Sequence, residues 1–319
     1  MLKAALRRTA LLAPPLRRLV ERLQATEAAL QDTQRRLDAV LAERAPPLDV
    51  GQAISQASLE TFRSALAASA PESWMRVQLN GALLWLPRDT LRTMVHCMAR
   101  EADGTLALHV EETHLRWMME RLDGGGTFLD VGCATGATTL PVARAFGERV
   151  RIVAYEPAAE ARRLLTETLA RNGISGVELR PVAVSDQDGS AEFREYMPDE
   201  TGEVPFMPEA STLIGTLISE RPHRMATVPV VTLDSDALPR CGPGRVVAKI
   251  DVEGFEAFVL RGAARLLAER RPWLSIDIHH DPFGQGDRMT EPDVRAILAP
   301  AGYEFTRIGH VLLCTPPEG

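Results

Sequence analysis

Apolar positions along the chain change their period twice. Between residues 16 and about 45 they recur by sevens. Leu16, Leu23, Leu30 and Leu37 form one stripe, and Leu19, Thr26, Thr33 and Val40 a second that is half polar. This pattern predicts one helix and favours a short coiled coil over a lone amphipathic helix docked on the body. Pro46 and Pro47 end the helix and open a linker. Between 46 and 122 the pattern is mixed. Residues 75–87, MRVQLNGALLWLP, alternate around Asn80-Gly81, the strongest short hairpin signal. Polar helical stretches follow, the last placing Leu115, Met118, Met119 and Leu122 on one face.

From residue 123 to 319 short apolar runs alternate with helical periods. TFLDV, VRIVAYE, VELRPVAV, RVVAKIDV and WLSIDIHH read as strands, separated by segments such as AAEARRLLTETLARNG and EAFVLRGAARLLAER that read as helices. GSAEFREYM reads as a short extra strand, and YEFTRIG and HVLLCTP as a closing antiparallel pair. Residues 198–226 carry Pro198, Pro205, Pro208 and Pro222 and read as a long loop, a candidate acceptor loop. The whole predicts an α/β domain: a mostly parallel sheet covered by helices on both faces. The expected organisation is a basic, helical segment 1–45, an accessory region 46–122, and a main domain 123–319.

Composition narrows the function. The 319 residues are 45% apolar and 25% charged, as in a water-soluble globular chain. A net charge of -7 argues against nucleic acid as the partner. Cys97, Cys133, Cys241 and Cys314 are widely spaced and read as free thiols of a reducing compartment, hence a cytoplasmic expectation. The first 18 residues are basic and apolar. Arg7, Arg8, Pro14 and Pro15 interrupt the run a secretory signal would need, while peripheral attachment to an anionic membrane surface stays open.

Ligands of such sheets lie beyond the carboxyl ends of the strands. The residues there are Asp130, Gly132 and Gly136 after the first strand of the domain, Glu156 and Pro157 after the second, and Ala183, Val184 and Asp186 after the third. Asp251 and Glu253 follow the fourth, and Asp277, His279 and His280 the fifth. Several carboxylates along one rim are costly unless used. Gly132 and Gly136 keep the turn bare. Their spacing is not the G-x-G-x-x-G of a pyrophosphate site, and Asp130 beside them would repel phosphate. An acid suits an ammonium, and Glu156 is placed to accept two ribose hydroxyls. A phosphate-free nucleoside bearing an ammonium describes S-adenosylmethionine.

DVGCATG, AYEP, AVSD, AKIDVEGFE and IDIH resemble successive motifs of the FkbM-type methyltransferases, a branch of the Rossmann-like, S-adenosylmethionine-dependent enzymes. The likeness spans about residues 110–319. It departs from the family pattern at Cys133-Ala134, where Ala-Asn is usual, and at Asp277, where Glu is usual. The resemblance implies a seven-stranded sheet whose final strand is antiparallel. By it, Asp130, Gly132 and Gly136 line the methionine part of the cofactor, Glu156 holds the ribose, and Ala183 to Asp186 flank the adenine. It also implies a hydroxyl acceptor, with a saccharide or glycan precursor expected over a secondary metabolite.

An alcohol must lose its proton as it accepts a methyl, and His279 is the first candidate base. Asp251 and Glu253 could orient the acceptor or serve instead. Asp251, Asp277 and His279 could also form a carboxylate–histidine metal site, but nothing resembles a dedicated ion loop and no metal is expected. His96, His109, His114, His223 and His310 read as exposed or fold-related, although His109 and His114 could reach the cleft as part of a lid. Trp74 and Trp85 read as packing residues. The N-terminal helix would support a homo-oligomer. Two rival readings are a non-catalytic scaffold working through its coiled coil and a nicotinamide-dependent oxidoreductase, which the glycine spacing disfavours.

Overall fold

The computed structural model describes residues 59–70, 72–102, 106–197, 213, 223–280 and 289–318. The expected coiled coil, the linker after it and most of the expected acceptor loop lie outside these residues. All described residues belong to one unit, Asp49–Gly319.

The chain enters through α1 (Leu59–Ala68), which buries Phe62 and Leu66. The expected hairpin follows, β1 (Trp74–Leu79) and β2 (Ala82–Pro87), with Leu79 opposite Ala82. Asn80 (φ 47°) and Gly81 (φ 80°) both take positive φ, as a two-residue turn matched to strand twist demands. After α2 (Arg88–Met94), β3 (Met98–Arg100) and β4 (Leu106–Leu108) complete a sheet in the order β2-β1-β4-β3. The accessory region is therefore more than hairpin and helices. Its buried Leu79, Leu84 and Leu86 share one apolar cluster with Leu140 and Leu165 of the main domain, so the boundary expected near 122 does not divide the core.

Helix α3 (Glu112–Leu122) buries Leu115, Met118 and Leu122 and leads to the central sheet. Its strands alternate with helices: β5 (Gly126–Val131), α4 (Thr139–Phe146), β6 (Val150–Tyr155), α5 (Ala159–Arg171) and β7 (Val177–Arg180). A side sheet comes next, made of β8 (Ala183–Val184), β9 (Gly189–Tyr196) and β10 (His223–Val231). The chain then returns through β11 (Val246–Ile250), α6 (Glu256–Arg261), α7 (Ala264–Arg270), β12 (Trp273–Asp277) and α8 (Glu291–Leu298). It closes with β13 (Glu304–Ile308) and β14 (Val311–Thr315). The central order is β13-β14-β12-β11-β5-β6-β7, and the final strand β14 runs opposite to the other six, antiparallel to both β12 and β13, as expected.

Three readings need correction. VELRPVAV is not one strand. Pro181, with no N–H to donate, stands between β7 and β8, and β8 leaves the central sheet to pair with β10. His223–Val231, whose first four residues read as the end of the loop, is a strand antiparallel to β9. It buries only Val228 and Val230, too thin an apolar signal beside Pro229. Residues 256–270 form two helices, Glu256–Arg261 and Ala264–Arg270, with Gly262 at the break lying against the backbone of Ser185. A Cβ there would sit 2.1 Å from the Ser185 carbonyl oxygen.

Candidate active site

A cavity of about 400 Å³ opens at the carboxyl ends of β5, β6, β11 and β12, within the ~300–1,000 Å³ usual for small-ligand sites. Gly132, Glu156, Pro157, Ala183, Val184, Asp251, Glu253 and His279 all line it. Asp130, Gly136 and Asp186 do not.

The missing three have other work. Asp130 is fully buried and accepts a hydrogen bond from Thr139 Oγ1 at 2.6 Å, tying the end of β5 to the start of α4. Burial pushes its carboxyl up to about 6, against the pull of Lys249 and Thr139. Gly136 (φ 92°) is bare for packing: a Cβ would lie 2.5 Å from Leu165 Cδ1. Asp186 accepts from Ser185 Oγ at 3.4 Å, in the segment that Gly262 packs against. Gly132 serves both purposes. It lines the cavity, and with φ 81° a Cβ there would stand 1.8 Å from the Asp251 carbonyl oxygen.

Glu156 is the most firmly built group on the wall. It is 5% exposed; Oε2 accepts from the Ala134 amide at 2.9 Å and Oε1 from the Ala158 amide at 2.7 Å. Burial pushes its carboxyl up to about 7, opposed by those two amides. A carboxylate held on both oxygens keeps its remaining lone pairs in fixed directions.

Further along the rim stand the charges. Lys249 sits in the middle of buried β11 and donates from Nζ to Asp251 Oδ2 at 2.7 Å, with Glu111 Oε2 at 3.7 Å. Burial works against its charge, but Asp251, Glu111 and Asp130 outweigh it and hold the ammonium charged. Glu111, at φ 52° just before α3, also lies 3.2 Å from His114 Nε2 and accepts from Thr138 Oγ1 at 3.4 Å. Lys249 overcomes the burial of Glu111 and lowers its carboxyl to about 2. His279 lies on the far side of Asp251, its Nε2 3.7 Å from Asp251 Oδ1 and 3.8 Å from Glu253 Oε1. Burial disfavours the imidazolium, but the hydrogen bond to Glu256 and the charges of Glu253 and Asp251 prevail and raise it to about 10. The expected base therefore already holds a proton at neutral pH. Glu253, which burial pushes up to about 7, is the group poised to gain one. Asp277, also on the cavity wall, is raised to about 6 by burial and by Asp251.

Asp251, Glu253 and His279 have donor atoms within 4.8 Å of one another, as do Glu111, Asp251 and Asp277. Lys249 already supplies a cation to the second group, and the imidazolium to the first. Glu156 and Gly132 offer a fixed carboxylate and a bare turn in the cavity lining.

Sequence reasoning missed Glu111, Lys249 and Glu256, and of the two histidines offered for the cleft only His114 lines it. Lys249 left a visible signal, a lone cation inside VVAKI; the others depend on tertiary placement. His114 is buried on the cavity wall, whereas His109 pairs with Glu112. Trp74 and Trp85 face the Arg171 guanidinium at 4.9 and 5.6 Å and take no part in the cavity wall.

A seven-stranded sheet of this order, with one antiparallel strand and a cavity at the strand carboxyl ends, defines a Rossmann-like methyltransferase fold. The methyltransferase FkbM domain matches residues 130–305, more than half of the chain, and the chain belongs to that family. No curated protein matches it. Among solved structures it is similar to a methyltransferase FkbM from Methylobacillus flagellatus KT at 16% identity and TM-score 0.40, over 60% of this chain and 44% of that one. The chain thus spans less than half the length of that relative. It is also similar to an rRNA methylase from Streptococcus thermophilus (10% identity, TM-score 0.38, 65% and 96% covered). A third likeness is to a SAM-dependent methyltransferase from Aquifex aeolicus (14% identity, TM-score 0.32, 65% and 89% covered). Among the described residues no helix is long and apolar enough to cross a membrane.

Proposed function

We propose that the chain is an S-adenosylmethionine-dependent O-methyltransferase acting on a hydroxyl of a saccharide or glycan precursor. One observation carries the reading. A single cavity joins the fixed carboxylate of Glu156 and the bare turn at Gly132 to the ionisable rim of Asp251, Glu253 and His279.

S-adenosylmethionine, when bound, supplies a methyl group on a sulfonium, already activated for in-line displacement. The chain's task is then to position the partners and remove a proton. Glu156 accepts the two ribose hydroxyls on the lone pairs its amide donors leave free. Gly132 and Pro157 line the methionine and ribose path, Ala183 and Val184 flank the adenine, and Asp130 shapes the turn from below. Further along the rim Asp251 and His279 orient the acceptor's hydroxyls. Glu253 would take the proton that the acceptor hydroxyl gives up as its oxygen receives the methyl group the donor releases. Base catalysis of this kind contributes ~10²–10⁴-fold.

The anionic rim favours neutral polyhydroxyl acceptors and disfavours phosphates, consistent with no nucleic-acid partner. A cytoplasmic location, contact with a membrane surface and oligomerisation through residues 1–45 belong to the same proposal.

Incubation with labelled S-adenosylmethionine and a cell-envelope glycan extract, followed by mass analysis, tests it. Gain of one methyl on a sugar oxygen is expected; label on nitrogen, or only on a non-sugar metabolite, rejects the acceptor class. Calorimetry with S-adenosylhomocysteine against NAD separates methyl transfer from hydride chemistry.

A further inference from the structure

Behind the cavity wall stands a carboxylate that does not line it. Glu256 opens α6 with no exposed surface (0%). A charge so placed needs donors, and three converge on it. The Gly254 amide donates to Oε1 at 2.9 Å, and Thr290 Oγ1 to Oε2 at 2.9 Å. The third is His279, whose Nδ1 lies 2.9 Å from Oε1. Thr290 also holds the main chain of the same histidine, its N–H donating to the His279 carbonyl at 2.9 Å. Ring and backbone of His279 are thus clamped from two separate elements, α6 and the turn before α8.

The clamp leaves Nε2 directed at Asp251 Oδ1 (3.7 Å) and Glu253 Oε1 (3.8 Å). A carboxylate bonded to one ring nitrogen decides which proton an imidazole keeps and where its other nitrogen points. We propose that Glu256 is a positioning residue for methyl transfer, pinning Nδ1 of His279 from behind and so aiming Nε2 between Asp251 and Glu253 at the acceptor. The chemical consequence rests on the methyl-transfer reading; the pin does not. A purely structural Glu256 would only tie α6 to Thr290, and its loss would lower stability without changing the ring of His279.

The groups facing that ring are Glu256 from α6 and Asp251 and Glu253 from the turn after β11, with the charge of Asp277 also felt from the end of β12. The test follows the imidazole nitrogens of His279 by NMR across pH in the full chain, with His279→Asn for assignment. In the unsubstituted protein Nδ1 keeps its proton throughout and Nε2 is the site that titrates; a neutral ring protonated on Nε2 instead overturns the proposal without any variant at Glu256. Glu256→Gln should move the titration midpoint down by about 1–3 pH units. It should also lower kcat while KM for the methyl donor holds. Glu256→Asp keeps the charge and should recover part of both. An unmoved midpoint in Glu256→Gln, or an equal shift in Glu256→Asp, overturns the pin. A shifted midpoint in a chain that does not bind S-adenosylhomocysteine supports the pin and rejects methyl transfer. Bound S-adenosylhomocysteine with an unmoved midpoint does the reverse.

Discussion

Replacing Glu156 by alanine removes the acceptor that two backbone amides and, in the proposed complex, two ribose hydroxyls share. The amides of Ala134 and Ala158, now 2.9 and 2.7 Å from its oxygens, would lose their partner, at about 1–3 kcal/mol each. Against this, the variant is relieved of an acid that burial pushes from 4.5 to about 7. That shift corresponds to about 3 kcal/mol at alkaline pH, since one unit is about 1.4 kcal/mol. The terms nearly cancel, so the variant should fold. Binding has no such compensation. A hydrogen bond to a charged acceptor contributes about 1.5–3 kcal/mol, and losing two weakens affinity by roughly 10²–10⁴-fold. Isothermal calorimetry with S-adenosylhomocysteine on both proteins, with a thermal melt of each, reads this directly. A folded Glu156→Ala chain that binds within about threefold of the original would place the ribose elsewhere and refute the reasoning.

Other outcomes follow from the same geometry. Gly132→Ala forces a Cβ to 1.8 Å from the Asp251 carbonyl oxygen in a left-handed turn; a melt should show a loss of at least about 2 kcal/mol, and none would mean that the turn is mobile. Lys249→Met strands the carboxylates of Asp251 and Glu111 in the cavity wall and should cost about 3–5 kcal/mol by denaturant titration. The acids Asp130 and Asp277 (about 6) and Glu156 and Glu253 (about 7) all have folded pKa values raised above the ordinary carboxyl range. Their contribution is fully present below about pH 4 and is lost as pH rises through 6 to 7. His279, raised from 6.5 to about 10, loses its share as pH rises from about 6.5 to 10, a change of the same sign. The ligand-free chain should therefore melt lower at pH 7.5 than at pH 5, and a melting temperature that rises across this interval contradicts the burial of these acids.

Much of the architecture was legible because it follows from local rules. Alternating strand and helix periods, the Asn80-Gly81 turn and the bounded apolar runs each report a near-neighbour preference, and the central sheet obeys them. The rim was legible for the same reason: residues after a parallel strand emerge at one edge, so Glu156, Asp251 and His279 had to lie near one another. What each side chain does there was not. Asp130 and Gly136 look like ligand contacts in the sequence, yet they serve the turn and the packing of α5, because Thr139 and Leu165 approach them from elements that spacing alone does not locate. His279 reads as a base by its ordinary pKa, but Glu256, 23 residues earlier, and the carboxylates of Glu253 and Asp251 keep it charged. Periodicity along a chain specifies which face a residue takes. Charge state and hydrogen-bond partner depend on the desolvation and field of groups that meet only when the sheet has closed.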